Sequence, residues 1–138
     1  MQSFLKSTIT LLYSSLILGK NKKNNNLRIL MYHSVRLGNS SKNMWSLDSN
    51  YFSEHLSYLH EKKDIHLYSC TDLVESIPEN GIMITFDDGY RDNFEIAAPI
   101  LFELKIPFSV FVVTDYIRNE KKGFMNSSML RELSKNPL

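Results

Sequence analysis

A chain of 138 residues, 43% hydrophobic and 12% aromatic, has material for one globular core and too little for two. Its net charge of +1 hides an asymmetry: the first 47 residues hold seven Lys or Arg and no acid, and the other 91 hold nine against fifteen Asp or Glu. A basic head without an Arg-rich, aromatic-interleaved stripe points to an anionic membrane surface and away from nucleic acid. The lone Cys70 excludes an internal disulfide and reads as a small packed residue.

Residues 7–18, STITLLYSSLIL, carry no charge but are too few to cross a bilayer, which takes roughly 20 apolar residues. Leu5, Ile9, Leu12 and Leu16 fall at helical spacing, with Ser3, Ser7, Thr10 and Ser14 off that stripe and Lys6, Lys20, Lys22 and Lys23 near the ends. Residues 4–23 therefore read as an interfacial helix lying on a membrane. A secretory leader is the competing reading, although Ile17-Leu18-Gly19 is no Ala-x-Ala-like exit; a plain packing helix is the third. NKKNNN, residues 21–26, has nothing to bury and reads as a linker. The expected division is a leader and linker over 1–26 and a domain over 27–138. Placement is expected at a membrane or in the cell envelope, with the cytoplasm as the alternative.

In chain order, LRILMYHSV (27–35) predicts a short buried strand. YFSEHLSYLHEKK (51–63) predicts a helix with Phe52, Leu56 and Leu59 on one face. HLYSC predicts a second short strand, TDLVESI a short helix opened by Thr71, and GIMITF (81–86) a third strand. Asp92 and Glu95 form a D-x-x-E capping signature ahead of NFEIAAPILFELK, in which Pro99 means either a late start or a kink. IPFSVFVV (106–113) predicts a buried strand, and Asn126 or Ser127 caps a last helix, SMLRELSK. This alternation of strand and helix predicts parallel βα units, whose chemistry gathers at the carboxyl ends of strands.

GIMITF runs directly into Asp87-Asp88-Gly89-Tyr90. Adjacent side chains of a strand point to opposite faces, so the two acids converge only if the strand ends and the backbone turns, a freedom Gly89 supplies. Two close carboxylates repel as ions unless a cation offsets them. A metal resolves this: one aspartate ligates it while the other takes a proton from water. Asp-Asp-Gly is also a good turn, which is the bland alternative.

TFDDGYRDNF, with AAPIL and IPFSVFVV behind it and ILMYHSV in front, resembles the polysaccharide deacetylase family, also called carbohydrate esterase family 4 or the NodB-homology domain. The resemblance extends over nearly all of residues 27–138. It implies a distorted (β/α) barrel of which about the first half is present. The activity it implies is metal-dependent hydrolysis removing N-acetyl, or O-acetyl, groups from a polysaccharide or oligosaccharide. It implies Asp87 as general base and Asp88 as ligand of a divalent metal, most often zinc. His33 and Tyr90 are expected to line the pocket, and Arg91 to be solvated or paired with an acid.

That family completes its metal site with a later H-S/T-x-x-H motif, which this sequence does not contain. His55 and His60 are five apart and do not match the i, i+4 pair that clasps a metal; His66 stands alone. One carboxylate pair falls short of three protein ligands plus water, so weak or absent metal binding is expected, with a second chain or further sequence needed to complete the site. The alternative is a catalytically inactive remnant that binds a glycan or a partner. A haloacid-dehalogenase phosphatase would need D-x-D, a receiver domain a further strand-end Asp for which only Asp115 offers, and a serine hydrolase a G-x-S-x-G elbow that is missing.

Overall fold

The computed structural model describes residues 27–38, 44–74 and 80–136. The expected leader and linker, residues 1–26, lie outside the described residues.

The centre of the fold is β5, Gly81–Phe86, buried at every position. Strand β1, Leu27–Tyr32, runs parallel along one edge, Leu27 opposite Gly81 and Tyr32 opposite Phe86. The other edge is shared: β4, Leu67–Tyr68, pairs at Ile82–Met83, and β6, Ser109–Val110, at Thr85–Phe86, both parallel. A separate parallel pair joins β2, Ser34–Arg36, to β3, Ser46–Asp48. The described strand pairs within these two sheets are all parallel, as the strand–helix alternation predicts.

Because side chains alternate along a strand, Ile82, Ile84 and Phe86 share one face of β5. They pack with Phe52, Leu56 and Leu59 of helix α1, Ser49–Glu61, and with Ala97, Leu101 and Ile106. Asp48 caps α1 by accepting from the Asn50 N–H at 2.9 Å, satisfying one of the donors a helix start leaves free. Phe52 lies edge-on to Tyr32 (5.2 Å) and Phe86 (5.9 Å), tying the helix to β1 and β5. Each fully buried side chain of this size contributes about 1.5–3 kcal/mol.

Four expectations need correction. LRILMYHSV is broken at His33 into β1 and β2, which belong to different sheets. Nor is β1 buried throughout: Leu30 and Tyr32 join the core, whereas Ile29 and Met31 on the opposite face are 57% and 54% exposed. IPFSVFVV contributes only Ser109–Val110 to the ladder, with one further bond from the Phe111 N–H to the Phe86 carbonyl (2.8 Å). Pro107 has no N–H to donate at its start, and Phe111 is half exposed.

The fourth concerns Asp92. It stands in helical conformation with no capping bond, and its carboxylate reaches β2 instead. The chain then makes a π-helical turn, Asn93–Ala97, leading into α2, Ala98–Glu103, with Pro99 in the first turn of α2, where its missing N–H costs nothing. Helix α3, Thr114–Arg118, and helix α4, Ser127–Leu133, follow. Asn126 caps α4, accepting from the Met129 N–H at 3.0 Å. Of the helix expected over TDLVESI, the described residues show one 3-10 turn, Thr71–Leu73.

Candidate active site

At the carboxyl end of β5 the Asp87 N–H donates to the Tyr32 carbonyl at 2.9 Å, carrying the β5–β1 ladder one residue past the strand. The chain then turns through two consecutive left-handed residues, Asp88 (φ 66°) and Gly89 (φ 69°). The sequence points to Gly89 alone for that freedom. An L-residue such as Asp88 adopts it at about 1–2 kcal/mol, a cost Asn and Asp tolerate best. Gly89 has a second constraint: a Cβ there would lie 2.9 Å from Cγ1 of Val112.

Both carboxylates are half-buried. Among the described residues, neither Asp87 nor Asp88 has a side-chain hydrogen bond or an ion pair. Aspartates that serve only as turn formers commonly bond back to the local backbone, as Asp72 does here by accepting from the Ser69 N–H (2.6 Å) and Oγ (2.8 Å). Those two bonds hold the Asp72 carboxyl below its ordinary range.

His33 follows β1 as Asp87 follows β5, so the β1–β5 register makes them neighbouring positions at the strand ends. The His33 ring packs on Trp45 at 4.7 Å, and its carbonyl accepts from Asn93 Nδ2 at 2.6 Å. Tyr90 pairs with Phe124 in an isolated antiparallel bridge, ring centroids 4.8 Å apart. Arg91 pairs with Glu95 at 3.7 Å, both half-exposed. His55 is held elsewhere, its Nδ1 3.3 Å from the Tyr32 hydroxyl; burial lowers its pKa, partly offset by Glu54.

Asp92 and Asn93, which sequence reasoning assigned only to a cap and a helix, link the strand ends. Asp92 accepts from Ser34 Oγ (2.6 Å) and from the Val35 N–H (3.2 Å), with Arg36 Nε 3.7 Å away. Burial pushes its pKa up, against the opposing pull of these two hydrogen bonds and Arg36. Asn93 is fully buried. The missed signal was a polar pair, Asp92-Asn93, placed where the chain must pass beneath His33-Ser34.

Among the described residues no group of three or more His, Cys, Asp or Glu comes together to hold a metal ion. Two carboxylates alone fall short of the three protein ligands that a zinc site takes. A cavity of about 270 Å³ lined by Phe94, Phe102, Glu132, Leu133, Lys135 and Asn136 does not include the acids.

Parallel strands on a buried central strand, with acids at its carboxyl end, define an α/β protein of the kind that carries its chemistry at strand ends, as (β/α) barrels do. The family model described as polysaccharide deacetylase matches residues 75–137. YxkH of Bacillus subtilis (strain 168), which carries a polysaccharide deacetylase name, is 30% identical, the match covering 83% of this chain and 41% of that protein. The solved de-N-acetylase of Aggregatibacter actinomycetemcomitans superposes with a TM-score of 0.69 at 19% identity, over 79% of this chain and 50% of that one. IcaB of Ammonifex degensii gives 0.68 at 24%, over 82% and 50%. These matches bear out the resemblance to the polysaccharide deacetylase family and the barrel-type fold. The chain spans about half the length of these two solved structures, and less of the curated relative.

Proposed function

We propose that this chain carries the acid-pair half of a metal-dependent deacetylase centre acting on an acetylated polysaccharide or oligosaccharide. The observation that carries the reading is Asp87-Asp88 at the end of the buried central strand, half-buried, with neither carboxylate hydrogen-bonded or ion-paired to another described residue. In this reading Asp88 is a ligand of a divalent ion, zinc by family resemblance, and Asp87 takes the proton from the attacking water. A bound metal would supply Lewis acidity toward the acetyl carbonyl. His33 and Tyr90 flank the acids along the mouth.

The described residues fall short of a zinc ligand set, so the remaining donors come from a second chain or from further sequence. The body of this half-site is residues 27–138. The basic segment 4–23 is proposed to hold it at a membrane surface or in the cell envelope; no helix among the described residues is long and apolar enough to cross a membrane. The same shortfall of donors favours a second reading, an inactive domain that binds a glycan or a partner.

Zinc content and acetate release from chito-oligosaccharide separate the two. In the deacetylase reading, the chain together with its completing partner or extension binds metal and releases acetate. Asp88→Ala loses both, and Asp87→Asn keeps metal and loses turnover. Turnover retained in Asp87→Asn overturns the base assignment, and glycan binding without turnover in the completed protein supports the second reading.

A further inference from the structure

Two left-handed residues in succession, one of them not glycine, persist only where their surroundings over-determine them. Around Asp88-Gly89 the determinants on one side come from a single segment, residues 116–125. The Met125 N–H donates to the Gly89 carbonyl (2.9 Å), and the Arg91 N–H donates to the Gly123 carbonyl (3.0 Å). Between these two bonds Phe124 bridges to Tyr90.

The segment is closed on itself. The Lys121 N–H donates to the Tyr116 carbonyl (2.9 Å) and the Phe124 N–H to the Lys121 carbonyl (3.2 Å). The Phe124 ring lies 4.8 Å from Tyr90 and 4.4 Å from Tyr116, so it is the shared member of the aromatic row. The Lys121 ammonium sits 3.5 Å from the Tyr116 ring centre and 4.8 Å from that of Phe124. A cation over two ring faces holds them together electrostatically.

We infer that Phe124, seated between Tyr90 and Tyr116 and held there by Lys121, is a positioning residue that sets the left-handed geometry of Asp88. Its functional meaning rests on the proposed reading of Asp88 as a metal ligand. The geometric claim does not need a metal. Phe124 acts through the Gly89–Met125 and Arg91–Gly123 bonds: when the ring leaves the row, both bonds loosen and the Asp88 carboxylate loses its fixed direction.

The test is amide hydrogen exchange and backbone chemical shifts of the full 138-residue chain by NMR. In Phe124→Ala the Arg91 and Met125 amides should exchange at least about tenfold faster and the Asp88 Cα and Cβ shifts should move. The Ile106 amide, bonded to the Leu101 carbonyl at 2.9 Å in a different part of the core, should be unchanged. Phe124→Tyr keeps the ring and should restore both amides. Unchanged Arg91 and Met125 exchange in Phe124→Ala, or equal acceleration of Ile106, overturns the inference. If Phe124→Ala does not fold, Lys121→Met decides. It should accelerate the two amides about two- to fivefold, the worth of an exposed cation–π contact, with Lys121→Arg restoring them. No local change in Lys121→Met overturns the inference equally. A failure here leaves the metal reading of Asp88 standing, because metal retention is measured separately.

Discussion

Asp92→Ala is the most informative single change for the frame of the site. Asp92 serves two donors on β2, Ser34 Oγ at 2.6 Å and the Val35 N–H at 3.2 Å, and both residues are buried. Leaving a buried donor unpaired costs about 1–3 kcal/mol, so the two together approach about 2–6 kcal/mol. Removing a carboxylate that burial itself disfavours returns part of this, and the Arg36 contact at 3.7 Å, half exposed, adds little. The expected net loss is about 2–3 kcal/mol, a large share of the roughly 5–15 kcal/mol typical of a small domain.

Urea unfolding followed by Trp45, the single tryptophan, reads this region directly, since its ring packs on His33 and its carbonyl accepts from the Ser34 N–H (3.1 Å). The pH dependence carries a sign. Burial, against the hydrogen bonds and Arg36, leaves the Asp92 pKa raised. Its contribution is therefore fully present below the unfolded value near 3.8 and is lost as pH rises through the folded value. Asp92→Asn, neutral at every pH, should thus cost most in acid and progressively less as pH rises. A loss below about 0.5 kcal/mol in Asp92→Ala, or an Asn penalty that grows with pH, would refute the reasoning.

Three further changes probe other parts. Phe52→Ala empties a fully buried site between Tyr32 and Phe86 and should destabilise by about 3–5 kcal/mol in the same denaturation assay. Gly89→Ala meets both a positive φ and Val112 Cγ1 at 2.9 Å, and should lower stability by more than about 1 kcal/mol, read as a fall in melting temperature. Burial pushes the Tyr32 hydroxyl up to about 12, so ultraviolet titration should show a late-ionising component that Tyr32→Phe removes. Its contribution to stability is present below about 10 and fades as pH rises toward 12.

Periodicity and punctuation made much of this fold legible. The apolar run GIMITF is the central strand, the 52-56-59 stripe is the buried face of α1, and Asn126 caps α4. Local pattern failed where tertiary pairing decides. Asp92 looks like a cap from its spacing to Glu95, but its carboxylate goes instead to buried donors 57 and 58 residues earlier in the chain. LRILMYHSV reads as one strand because nothing local marks His33, where the chain changes sheets. The left-handed Asp88 was equally hidden, since Asp-Asp-Gly announces a turn without saying that two residues share it. Phe124 lies 34 residues beyond Tyr90 in the sequence and is identified only by their bridge and ring contact.

In the proposed function Asp87 and Asp88 together face a divalent cation. Titrating the chain with Mn²⁺, a paramagnetic probe, and following amide line broadening tests it most directly. The Asp87–Gly89 amides should broaden first, Asp88→Ala should abolish this, and Asp87→Asn should preserve it. Broadening centred on other acids such as Asp72 or Asp115, or unaltered in Asp88→Ala, would contradict it.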